Sequence, residues 1–308
     1  MSFRTKIIYK VAYSSINMLS AIITSCKEPK TIGKAIDCIA RQISSKDEVI
    51  VIAPDLETLK EASKLKTKYR NLRLIQDAGK GKPAALNLAV SKAKGDILVL
   101  TDGDVYVGEN SLIHLLEPFS DKRVGAVSGN PVSLNPRSNK FGFWAYVLTQ
   151  IANERRIYAL NHNLRFFCSG YLFAIRKNLF PNLPENLLSE DGYISHMVYQ
   201  AGYKIFYSPE SKVYVKYPDN FSDWIKQKKR SAGGYNQIKQ ILGKELRSLK
   251  TESFGAFKLL KYVSNLKEFF WLISLFSARL YLWFVIYKDI NIKKKSHNEI
   301  WQRVESTK

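Results

Sequence analysis

The sequence predicts an α/β fold: a Rossmann-like, mostly parallel central sheet flanked by helices, followed by a hydrophobic helical segment near the C-terminus. Three observations predict it. Strand-like apolar runs alternate with helical spacings over about the first hundred residues, the pattern of a doubly wound sheet. One of those runs, Ile97 to Leu100, ends abruptly in Asp102-Gly103-Asp104. Far downstream, Phe269 to Tyr287 is a 19-residue apolar stretch whose only charge is Arg279.

Taken in order, residues 1–17 are a basic lead with no apolar core long enough for a signal peptide. Met18 to Ser25 is the first strand, and Cys26-Lys27-Glu28-Pro29 the turn after it. Thr31 to Gln42 carries Ile32, Ala35, Ile36 and Ile39, a helical spacing with Thr31 as candidate cap. Val49 to Ala53 is the second strand, closed by Pro54-Asp55, and Leu56 to Tyr69 a charged surface helix. Leu72 to Ile75 is the third strand. A Gly79-Lys80-Gly81-Lys82-Pro83 loop leads from it into a helix through Ala84, Leu88 and Val90. Ile97 to Leu100 is the fourth strand. Right-handed crossovers gather the loops after such strands at one edge, where ligands of open α/β sheets bind. Glu28, Asp55, Lys82, Asp102 and Asp104 then share one cleft. Two carboxylates one residue apart repel unless a cation is near. Hard divalent ions take one or two carboxylates together with a substrate's phosphates. The plainer alternative is a solvated Asp-Gly turn.

Ser111 to Phe119 reads as a short helix, Val124 to Ser128 as a strand and Phe141 to Leu160 as a longer helix. Phe166 to Ile175 is a strand interrupted at Ser169-Gly170, where backbone can approach a ligand. Leu188-Ser189-Glu190-Asp191 precedes a helix over Gly192 to Ala201 that Gly202 stops. Lys204 to Tyr207 and Lys212 to Val215 are further short strands, and Ser222 to Lys239 is a basic helix.

The 308 residues hold 48 Lys and Arg against 27 acidic residues, a net charge of +21, which points to an anionic partner. Hydrophobic content of 45% excludes a disordered chain. Three unspaced cysteines, Cys26, Cys38 and Cys168, suit a reduced cytosolic domain without disulfides. The four histidines show no zinc spacing.

Four segments in order resemble the family 2 glycosyltransferases of the GT-A fold: LSAIITSCKEPKTIGKAIDCIARQ, GKGKPAALNLAVSKAKGDILVLTDGDVYV, LSEDGYISHMVYQAGYKIFYSP and QKKRSAGG. The resemblance spans roughly residues 18–235 and implies a catalytic domain over 18–245, followed by a membrane-associated region over 246–308. It implies that Glu28 and Asp55 contact the nucleoside and Lys82 the diphosphate or base. Asp102 and Asp104 match the D-x-D pair, holding Mg²⁺ or Mn²⁺, with Asp102 also facing the nucleotide sugar. Asp191 matches the general base. Gln227 and Arg230 match the Q-x-x-R contacts to acceptor and diphosphate. Ser169, Gly170 and Glu190 are the expected acceptor side. Three departures stand out. Ala53-Pro54 occupy the usual places of the second-strand acid, Cys26-Lys27 replace a common Tyr-Asn, and Ser231 replaces the tryptophan associated with processive synthases.

The implied activity is an inverting, metal-dependent transfer of a hexose or N-acetylhexosamine. The donor is a nucleotide-diphosphate sugar and the acceptor a lipid-linked or surface-glycan hydroxyl. A polyprenyl-phosphate hexose synthase is the related alternative. A basic nucleic-acid-binding protein is the alternative of another class, although it gives Asp102 and Asp104 no purpose, so no nucleic acid is expected. The Phe269–Tyr287 run is near the ~20 residues that span a bilayer. It reads as a span, as a hairpin with Phe254 to Val263, as an interfacial helix or as a soluble core helix. Its flanking lysines, Lys261, Lys267, Lys288 and Lys293-Lys294-Lys295, favour the anionic cytoplasmic leaflet of the cell membrane.

Overall fold

The computed structural model describes residues 16–242, 256–289, 304 and 306–307. Most of the basic lead, the 245/246 boundary and the Lys293–Lys295 cluster lie outside the described residues.

The first half alternates as expected: β1 (Leu19–Thr24), α1 (Ile32–Ala40), β2 (Glu48–Ala53), α2 (Leu56–Ser63), β3 (Leu72–Gln76), α3 (Lys82–Lys92) and β4 (Ile97–Asp102). The second half runs β5 (Val105–Val107), α4 (Ser111–Leu116), β6 (Val124–Ser133), α5 (Lys140–Asn161), β7 (Leu172–Arg176), α6 (Glu190–Gln200), β8 (Lys204–Val215), α7 (Phe221–Leu242) and α8 (Leu266–Tyr287). Eight strands form one sheet in the order β3-β2-β1-β4-β7-β6-β8-β5. The pairs β3–β2, β2–β1, β1–β4 and β6–β8 are parallel. Strands β7 and β5 run against their neighbours.

The strands read as unbroken apolar runs because both faces are covered. On one face Leu19, Ala21, Ile23, Val49, Val51, Ile97 and Val99 pack under α1 and α4. On the other, Ile22, Ile50, Ile52, Leu98 and Leu100 pack under α3 and α6. In α1, Ile32, Ala35, Ile36 and Ile39 supply the buried stripe, which makes that helix readable from its spacing.

Two strand expectations change. Residues 166–170 are not strand, and pairing begins only at Leu172. Side chains satisfy that backbone instead: the N–H groups of Phe166, Cys168 and Ser169 donate to the hydroxyls of Tyr199, Ser195 and Ser128. Conversely, the two short strands over 204–215 are one, β8. Its polar middle is carried past a register shift against β6, with the Asn130 amide donating to the Pro209 carbonyl at 3.1 Å.

A third apolar cluster joins α5 (Phe143, Trp144, Val147), α7 (Trp224) and α8 (Leu272, Leu275, Ala278, Leu282, Ile286). The Trp144 indole N–H donates to the Trp271 carbonyl at 2.8 Å. Glu268 is buried in a bidentate pair with Arg137, with both distances 2.7 Å. Helix α8 therefore lies along α5 and α7 on one face. Its other face exposes Leu266, Phe269, Phe270, Ile273, Leu280, Tyr281, Phe284 and Tyr287. Residues Ala256–Tyr262 are 3₁₀ turns, so they do not supply the second arm of a helical hairpin.

Candidate active site

Side chains from β1, β4, α3, α6 and α7 meet at the C-terminal edge of the parallel strands. Asp102 ends β4. Its Oδ1 accepts from the Thr24 hydroxyl at 3.0 Å and from the Lys82 ammonium at 2.7 Å. Lys82 opens α3, and its Nζ also reaches Glu190 Oε1 at 2.6 Å. One ammonium thus ties the D-x-D turn to the start of α6. Burial opposes the charge on Lys82, but Asp102 and Glu190 outweigh it and raise its pKa above the ordinary lysine value.

Gly103 lets the turn come this close to β1. Its N–H donates to the Thr24 carbonyl at 2.9 Å. A Cβ placed on it would lie 2.4 Å from Ser25 Oγ and 2.8 Å from Glu28 Oε2. Glu28 is buried, and its Oε2 accepts from the Ser25 hydroxyl at 2.7 Å. The acids Asp102, Asp104 and Glu28 thereby sit on adjoining turns.

Asp55 stands as the N-cap of α2. Its Oδ1 accepts from Thr58 N–H at 2.9 Å and its Oδ2 from Lys27 N–H at 2.6 Å. Burial would raise its pKa, but these hydrogen bonds outweigh it and the value is lowered. Its carboxylate ties the turn after β1 to α2.

Asp191 lies in the first turn of α6. Its Oδ2 accepts from Gly170 N–H at 3.1 Å, and its Oδ1 from Ser189 Oγ and Gly192 N–H at 2.7 and 2.8 Å. The residues between Cys168 and β7 therefore serve to orient this carboxylate. Helix α7 packs against the same turn through Gly234, where a Cβ would stand 2.7 Å from that of Ser189. Ser169, by contrast, is buried and bonded to Ser128.

Tyr171 was not singled out by sequence. Its hydroxyl accepts a long, 3.5 Å hydrogen bond from the Gln227 amide. Burial, chiefly, pushes this phenol up to about 12, and the charges acting on it are Arg230, Asp104, Asp102 and Lys82. It marks where α7 meets the D-x-D turn. The only sequence signal is its place after Gly170, at the break in an apolar run.

No group of three metal-ligating side chains occurs among the described residues. Asp102 and Asp104 nonetheless suit an ion of the Mg²⁺ or Mn²⁺ kind, which binds by one or two carboxylates and completes its shell with phosphate oxygens and water. They do not suit a cage built from protein alone.

The mixed eight-stranded sheet is of the GT-A type. The family model for glycosyltransferase-like family 2 matches residues 17–234, and the chain belongs to that family. A probable glycosyltransferase, YdaM, of Bacillus subtilis is 25% identical over 71% of this chain and 56% of its own length. The poly-beta-1,6-N-acetyl-D-glucosamine synthase of Staphylococcus aureus is 22% identical over 79% of this chain and 60% of its own. The chain thus spans little more than half the length of these relatives. Among solved structures, a mannosyltransferase from Pyrobaculum calidifontis in complex with GDP-Man and Mn²⁺ matches with a TM-score of 0.64. It shares 17% identity and covers 96% of this chain and 94% of that one. Residues 1–349 of S. aureus TarS match with a TM-score of 0.50 at 18% identity, covering 76% and 77%.

Proposed function

We propose that this glycosyltransferase is inverting and metal-dependent. It moves a hexose or N-acetylhexosamine from a nucleotide-diphosphate sugar to a hydroxyl of a lipid-linked or surface-glycan acceptor. The observation that carries this reading is the Lys82 bridge. It links Asp102, on the D-x-D turn, to Glu190, next to Asp191. The diphosphate end and the base end of one displacement are then held together.

The chemistry follows from the groups present. Asp191, held by Gly170, Ser189 and Gly192, accepts the proton of the acceptor hydroxyl as its oxygen attacks the anomeric carbon. The bond to the diphosphate breaks on the opposite face, so configuration inverts in a single step. Lys82 and Arg230 offset the charge growing on the leaving diphosphate. Glu28 and Asp55 face the nucleoside. A divalent ion held by Asp104 and Asp102 would supply further charge neutralisation to that diphosphate. A mannosyltransferase and an N-acetylglucosamine polymer synthase among the similar proteins support the sugar class.

The exposed face of α8 supports attachment to a membrane. The helix is long and apolar enough to cross one. Because one side is clamped to α5 and α7, it lies in the plane of the cytoplasmic leaflet, with Lys267 and Lys288 at its ends. The test of donor and metal is a thermal-shift panel of UDP-, GDP- and CMP-sugars with and without Mn²⁺. One donor should stabilise the chain only with metal, and Asp104→Asn should remove that stabilisation. A chain indifferent to every donor would overturn the reading.

A further inference from the structure

The chemistry above leaves Tyr171 unused, although the backbone fixes this residue from two sides. Its carbonyl accepts from the Thr101 hydroxyl at 2.7 Å, and Thr101 is the residue before Asp102. Gly170, just before Tyr171, donates its N–H to Asp191. Leu172, just after it, pairs with Thr101 as β7 begins. The chain therefore sets this side chain between the general base and the D-x-D turn. The ring is held as well: it meets Tyr217 edge-on, with centroids 6.0 Å apart and planes at 78°.

The hydroxyl is only half satisfied. It accepts the long, 3.5 Å bond from the Gln227 amide, and among the described residues nothing accepts its own proton. A phenol both gives and takes a hydrogen bond, so the donor half of this one is available. The charges that act on it most are Arg230, Asp104, Asp102 and Lys82. Arg230 and Lys82 are the cations that face the leaving diphosphate, and Asp104 and Asp102 the acids that suit the ion. The group due among those charges is an anion rich in oxygen. A fixed phenol O–H is a preorganised donor to such oxygens. Its proton stays in place at neutral pH, since burial holds the group above the ordinary tyrosine value.

We infer that Tyr171 is a further substrate-contacting residue: its phenol donates a hydrogen bond to the sugar-side phosphate of the nucleoside diphosphate. The bond strengthens as the sugar leaves, because that phosphate then gains negative charge. The phenol keeps its proton throughout, and the acceptor's proton still goes to Asp191. This rests on the glycosyltransferase reading above and adds a contact to its diphosphate side.

The test uses the full chain with Mn²⁺, read by titration calorimetry. UDP and GDP are the probes, with UMP and GMP as the matching ligands that lack the sugar-side phosphate. Tyr171→Phe keeps the ring on Tyr217 and removes only the hydroxyl, so the chain should fold unchanged. Monophosphate binding reports the folded nucleoside site in the same preparation. Whichever diphosphate binds the parent should bind Tyr171→Phe about 10- to 100-fold more weakly, the range of one hydrogen bond to a charged group. The matching monophosphate should bind both chains within about twofold. Equal diphosphate affinity in the two chains would overturn the contact. So would an equal loss for monophosphate and diphosphate, which marks a structural role instead. Either result in a parent chain that binds the diphosphate refutes this inference alone. A parent chain that binds neither UDP nor GDP would refute the glycosyltransferase reading as well.

Discussion

Gly103 and Lys82 hold the site's acids in place, and each invites a direct test. Gly103→Ala puts a methyl group onto Ser25, and relieving that contact should cost about 1–3 kcal/mol and displace the flanking acids. Urea unfolding should show the loss, and donor affinity should fall with it; an unshifted midpoint would mean that the turn is pliant. Lys82→Met should lower stability and donor affinity together, because Asp102 and Glu190 lose their shared counter-charge. The folded pKa of Lys82 is raised, so its contribution is complete below the ordinary lysine value and fades only as pH rises through the raised one. The stability gap between parent and variant should therefore stay constant from about pH 6 to 9. A gap that closes within that range would contradict the bridge. Periodicity places Asp102 at the end of a strand with Asp104 in the turn beyond it, whereas Asp191 comes only from the resemblance of its segment to the family. Tyr171 could not be read from sequence, since only the tertiary placing of α7 brings Gln227 and the charge of Arg230 to it.

At the scale of elements, Asp55 shows how one side chain can satisfy two descriptions. The family resemblance implies a nucleoside contact, and the geometry adds a complete N-cap. Asp55→Ala should cost about 1 kcal/mol at neutral pH. Because its pKa is lowered on folding, that contribution is present above the ordinary aspartate value of about 3.9 and is lost as pH falls through the lowered one. Parent and variant should converge in acid, and a constant difference would deny the cap. Helix α1 and strands β1 to β4 were readable because local periodicity and burial agree there. Residues 166–170 read as strand because they are apolar. Yet Tyr199, Ser195 and Ser128, all distant in sequence, take over the hydrogen bonds a strand would make. The reversed direction of β7 was likewise invisible, since strand polarity is set by the path of the connection and not by composition.

For the whole molecule, the question is what the outer face of α8 meets. Phe270 and Phe284 are 66% and 61% exposed, so replacing both with Glu leaves the internal cluster untouched. The parent chain should stay with membranes through a high-salt wash, and the Phe270→Glu, Phe284→Glu chain should move to the soluble fraction. A parent chain released by salt alone would leave only the charge of +21 as the attachment. Sequence supplied the helix but not its posture, because only the Arg137–Glu268 pair and the Trp144 bond show that one side is committed to the catalytic body.

The whole reading turns on Asp191 as the group that takes the acceptor's proton. Turnover and donor affinity of Asp191→Asn, measured on one preparation with the stabilising donor, decide it. Turnover should drop about 100-fold or more while donor affinity holds within about twofold. Near-normal turnover, or product of retained anomeric configuration from the parent chain, would contradict the assignment.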